Sequence, residues 1–225
     1  MFAVIVIVLI VLFVPNVFKK GIASAHYFKS QYYLGQWIKG KTAITEFAFN
    51  DAHEAAQSAV DKDPFNAHYL LNLAKVKEWG WSAEVFQPTQ KNLDELYLKA
   101  IALRPKWVSA YGDYAYSLAF LQQDAKMAFL YLHKANDIVP FEETVLQNTV
   151  LVGEYYWSSI DYDEKVFVME SAFKILETNN QASFEYVKAI IVESDKKQYF
   201  CQFIKNKSED MSEKANQRFE KQLCR

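Results

Sequence analysis

Along most of the chain, apolar positions recur in a pattern tied to three prolines. Pro64, Pro105 and Pro140 each have an Ala five residues earlier, at Ala59, Ala100 and Ala135. Eight residues before each stand Ala56, Tyr97 and Leu132, and twelve before stand Ala52, Leu93 and Ala128. These offsets line one face of a helix that ends just before the proline. Six residues after each proline comes Leu70, Tyr111 or Leu146, and ten after comes Ala74, Ala115 or Val150. Those positions open the buried side of a following helix. A small residue five before the proline lets paired helices approach, while larger ones a turn away fill the groove. The proline itself is expected at the start of the following helix, where its missing N–H would be unpaired anyway.

Read this way, the chain is all-α. The expected pairs are 22–39 with 45–62, 65–79 with 89–103, 106–122 with 124–137, and 141–157 with 163–178. A fifth pair falls in "NNQASFEYVKAIIVES" and "DKKQYFCQFIKNK", and "SEKANQRFEKQLCR" closes it as a polar amphipathic cap. The proline spacings are 41 and 35 residues, with an insertion around "GWSAEVFQPTQKN" in the first. The second spacing is close to the helix-turn-helix period of about 34 residues. The segment "LYLKAIALRPKWVSAYGDYAYSLA" (96–119) resembles tetratricopeptide repeats best. The Gly usual between paired helices is replaced by "QQD" at 122–124, and Val150 stands where a small residue is usual. The resemblance implies a tetratricopeptide-like helical-hairpin solenoid with irregular repeats over residues 21–225.

Residues 1–20 follow a different pattern. "MFAVIVIVLIVLFVPNVF" has no charge before Lys19 and Lys20. As a helix it would measure roughly 27 Å, close to the ~30 Å hydrocarbon core. A single transmembrane anchor is expected. A cleaved signal peptide stays open beside it, since "ASA" at 23–25 would serve as a cleavage site although no basic residue precedes the run. The lysine pair after the run argues for a cytoplasmic domain by the positive-inside rule.

Composition narrows the function classes. The 225 residues carry a net charge of -2 and a pI near 6.1, with no Lys/Arg-rich block, which argues against a nucleic-acid partner. Gly (6) and Pro (5) are few, as long helices require. The histidines His26, His53, His68 and His133 are scattered, and no HExxH, CxxC, GxSxG or Gly-rich phosphate loop is present. "DYDE" at 161–164 reads as a helix N-cap with an acidic first turn rather than a cation loop. No catalytic residue, metal site or cofactor is expected, and the chain is not expected to be an enzyme. Cys201 and Cys224 flank a turn near 206–210. On a straight antiparallel hairpin they would be offset by roughly 13 Å along the axis. A disulfide needs Cα atoms about 4.4–6.8 Å apart, so two free thiols are expected.

A narrower resemblance covers roughly residues 20–140. A membrane-proximal helix leads into "A-x-x-A…DP-x-N-x-x-Y", then "LAKVKEWGW", then "LY-x-x-A-I-x-L-R-P-x-W". That order is similar to the VpsP-type proteins of bacterial exopolysaccharide gene clusters. It implies an envelope-associated accessory factor in polysaccharide synthesis or export, anchored in the inner membrane, with protein partners from that machinery. It also tips the domain towards the periplasm. In tetratricopeptide repeats the inner binding surface falls 4, 7, 11, 14 and 15 residues after the proline. Carried over, these offsets give His68, Lys75, Glu78 and Trp79, then Ser109, Tyr116 and Phe120, then Gln147, Glu154 and Tyr155. The remaining offsets hold Leu71, Gly112, Ala119, Thr144 and Leu151. Aromatic anchors among adaptable polar groups suit a protein partner, or alternatively a glycan.

Overall fold

The computed structural model describes residues 2–224 other than 88, 179, 208 and 210, with side chains described from Val14 onward. Among the described residues every regular element is helical. The chain divides into two compact units, Met1–Pro105 and Lys106–Arg225.

The first unit holds α1 (Phe2–Ile38), α2 (Glu46–Lys62), α3 (Ala67–Ser82) and α4 (Gln90–Leu103). Helix α1 lies against α2 and α3, α2 against α3, and α3 against α4. Caps start the helices as the sequence chemistry suggests: Thr45, Asn66 and Thr89 each accept a backbone N–H of the first turn. A buried polar relay ties α1 to α3. Gln31 donates to Asn72 Oδ1 at 2.6 Å, and Asn72 donates to Ser30, whose hydroxyl donates to the Tyr27 carbonyl at 2.8 Å.

The sequence pattern separates an apolar run from a first helix at 22–39, but the structure joins them. α1 continues unbroken through Pro15 and Gly21. Gly21 has nothing within 4 Å of where a Cβ would sit, so no neighbour forces a turn there. Most of the expected transmembrane run, residues 2–13, lies outside the described side chains. Among the described residues no helix is long and apolar enough to cross a membrane.

The second unit holds α5 (Val108–Phe120), α6 (Ala125–Ile138), α7 (Glu143–Tyr155), α8 (Tyr162–Glu177), α9 (Gln181–Glu193), α10 (Lys197–Asn206), α11 (Glu213–Arg218) and a π-helical turn (Phe219–Leu223). α5 pairs with α6 and α7 with α8; α7 also lies against α5, α6 and α9. Asp161 caps α8 by accepting the Glu164 N–H at 2.9 Å, as "DYDE" suggests.

The three proline joints share one backbone geometry. Asp63, Arg104 and Val139, each just before the proline, have φ of -141°, -139° and -141°. All three have left the α region, which a following proline disfavours by steric clash, and Val139 is extended. Each of the three donates its N–H to the carbonyl of the Ala four residues back, Ala59, Ala100 or Ala135. Those alanines are wholly buried, as are Ala52, Leu93 and Ala128. The prolines are placed differently from expectation. They stand in the turn itself, and the next helices start at Ala67, Val108 and Glu143.

The C-terminal cysteines correct the second expectation. Cys201 and Cys224 form a disulfide with Cα atoms 5.7 Å apart. The straight hairpin assumed for them does not exist. α10 lies on α8 and α9, while α11 lies on α8 and the π turn on α9. Arg218 holds the crossing in place by donating to the Thr178 carbonyl at 2.9 Å, with its guanidinium 5.1 Å from the Phe184 ring centre.

Candidate functional site

The residues expected on an inner face divide between the two units. In the first unit, His68 is exposed at the start of α3, and its Nε2 meets the Arg104 guanidinium at 2.5 Å. Partial burial, and then Arg104, hold its imidazole below the ordinary histidine range. Glu78 accepts the hydroxyl proton of the fully buried Tyr97 at 2.6 Å, so it serves the α3–α4 contact. Lys75 and Trp79 are half-buried. Lys75 is close enough to Tyr27 to favour its phenolate, although burial dominates and raises that pKa.

In the second unit the structure brings three of the expected residues together. Tyr116 and Phe120 on α5 have ring centres 4.8 Å apart, and Phe120 meets Tyr155 of α7 edge-on at 5.3 Å. Tyr155 continues the row to Tyr156 at 4.9 Å. Tyr156 is fixed by donating its hydroxyl to the Ala119 carbonyl at 2.6 Å. Burial raises its pKa, with Tyr155 and Asp124 adding to the rise. Tyr116 is 41% exposed and Tyr155 64%, so the row presents ring surface to solvent. Glu154 beside it pairs with Lys196 at 3.3 Å, and Lys196 pairs in turn with Asp195. Ser109 and Gln147 are half-buried and take no part in this row.

Leu71, Gly112 and Ala119 are buried and leave the candidate set. Gly112 sits against Val145 of α7, with Asn148 donating to its carbonyl at 3.0 Å. Those offsets face the neighbouring helix in this chain. The sequence reading also missed Tyr186 of α9, which is 43% exposed. Burial raises its pKa first, and the Tyr116 phenol adds to the rise. No proline precedes α9 to set an offset, so only the periodicity of "FEYVKAII" could have marked it. Tyr116, Phe120, Tyr155 and Tyr186 therefore come from α5, α7 and α9, the successive first helices of their pairs.

Among the described residues no group of three or more His, Cys, Asp or Glu side chains could hold a metal. His133 meets Glu164 at 2.9 Å and stacks on Phe167, with ring centres 4.1 Å apart. Neither a scan of protein-family models nor a search of curated proteins gives a match.

Proposed function

We propose that the chain is an interaction scaffold anchored in the bacterial inner membrane by residues 1–20 and accessory to exopolysaccharide synthesis or export. Its helices form tetratricopeptide-like repeats, a reading supported by the shared geometry of the three proline joints. The observation that carries the function is the aromatic row Tyr116–Phe120–Tyr155 on consecutive first helices of the second unit. Exposed tyrosines give large contact area at low entropic cost, as binding faces require. The Cys201–Cys224 disulfide supports the periplasmic side, because the cytosol keeps thiols reduced. A C-terminal alkaline phosphatase fusion tests the topology and should be active; an inactive fusion at normal expression overturns it.

Capture of the protein's membrane partners tests the scaffold reading. Tyr116→Ala with Tyr155→Ala should lose those partners while melting close to the parent. Unchanged capture would dismiss the row. A glycan-binding reading is favoured by one further feature: the exposed rings of Tyr116 and Tyr155 combine apolar faces with hydroxyls that can hydrogen-bond a sugar. Neutral oligosaccharides titrated against intrinsic fluorescence separate the two. Saturable change that Tyr155→Ala removes selects the glycan.

A further inference from the structure

The outward side of α1 contradicts the rule for a surface helix. Its core face is clear: Ala23, Ser30, Leu34 and Trp37 are all buried. The opposite face should be charged or polar. It carries instead Val14, Val17, Phe18, Phe28 and Tyr32, exposed by 54%, 68%, 69%, 66% and 64%. Between the two aromatic ends lie Gly21 and Ala25, also exposed. Positions 14, 18, 21, 25, 28 and 32 alternate steps of four and three, the spacing of a helix seam that meets another helix. No side chain charged at neutral pH occupies that seam. The nearest lysine on this side, Lys29, is turned to Asp51 of α2 at 2.5 Å.

We propose that this face is where a second copy of the chain docks, giving a parallel α1–α1 dimer. In a two-fold parallel pair each seam position meets itself, so the face must be complementary to its own copy. Gly21 and Ala25 then allow close approach, with Phe18 before them and Phe28 and Tyr32 after. Absence of charge along the seam removes the repulsion that two identical faces would otherwise suffer. The area suffices: three aromatic and two valine side chains exposed this far offer on the order of 500 Å² per chain, about 1,000 Å² for the pair, the lower bound of a specific interface. Lipid is a poorer cover. With residues 1–20 as the anchor, Phe28 and Tyr32 stand roughly 12 and 18 Å along the helix beyond its end, outside the hydrocarbon.

The test uses the full-length chain in membranes, with single cysteines introduced by Ala25→Cys, Phe28→Cys, Tyr32→Cys and, off the seam, His26→Cys. The native cysteines are joined to each other and do not compete. Mild oxidation should give cross-linked dimer at 25, 28 and 32 and only background at 26. Phe28→Glu with Tyr32→Glu should weaken self-association about a hundredfold or more, because like charges would face each other. Helicity should hold, since neither side chain is in the core. Equal cross-linking at all four positions, or a monomer by two-colour energy transfer, overturns the proposal. A monomer whose dye at position 32 is quenched by brominated lipid overturns it in favour of the bilayer surface. If the full chain proves soluble, the anchor fails, while the cross-link pattern still decides the dimer.

Discussion

Two glycines sit where a neighbouring helix comes too close for a side chain. A Cβ at Gly80 would run into the Phe49 ring, and one at Gly153 into Val168. Gly153→Ala should therefore overpack the α7–α8 contact and cost about 1–3 kcal/mol. Gly112→Ala meets its first neighbour only at 3.4 Å and should be far milder. Urea unfolding midpoints of the two variants compare them directly. His53 makes a second prediction at this scale. It stacks on Phe49 and lies beside Phe86, and its Nε2 is buried without a partner. Burial, and then Lys77, push its pKa below the usual 6.5. The unfolded chain then binds the proton more readily, so stability present above pH 6.5 is lost as pH falls below it. The melting temperature should drop between pH 7.5 and 5.5, and less so in His53→Gln. An equal drop in that variant would assign the effect elsewhere.

Among the elements, the three joints were legible because each combines two steric facts, a proline and a small residue five before it. Fifteen apolar positions read from those offsets are all buried. Beyond Pro140 no such marker exists, and legibility fell accordingly. Tyr186 went unseen, and the cysteines were misplaced because a crossing angle between short helices leaves no trace in periodicity. The aromatic row was half legible: Tyr116, Phe120 and Tyr155 fell at the offsets, but so did the buried Gly112 and Ala119. Whether such a position meets solvent or the next helix depends on the neighbour's side chains. The disulfide closes a separation of 23 residues, for which the loop-entropy model gives about 3 kcal/mol. Cys201→Ser with Cys224→Ser should release α11 and the π turn while α5 to α8 stay formed. Hydrogen exchange would show fast amides from Glu213 onward; protection equal to the parent would mean that Arg218, Phe219 and Leu223 hold this segment unaided. Ala100→Leu should overpack the Ala100 position at the α4 joint, with a cost again about 1–3 kcal/mol, seen as a lower unfolding midpoint.

For the whole molecule, removal of residues 1–20 cuts inside one continuous helix, yet among the described residues the first buried position of α1 is Ala23. The shortened chain should keep its helical circular dichroism and leave the membrane fraction. A folded product that still sediments with membranes would place the attachment elsewhere. The unbroken α1 also determines how a membrane-held chain could search for its partners. A flexible leash of 20 residues would let its cargo wander over roughly 25 Å in every direction. Here the stem is itself the first helix of the folded unit, 37 residues without a break. Spinning about the stem and leaning with it are the freedoms that remain. On the proposed anchoring, a surface carried by that unit would sweep a ring at a set height above the bilayer and would meet partners standing at that height far more often than others.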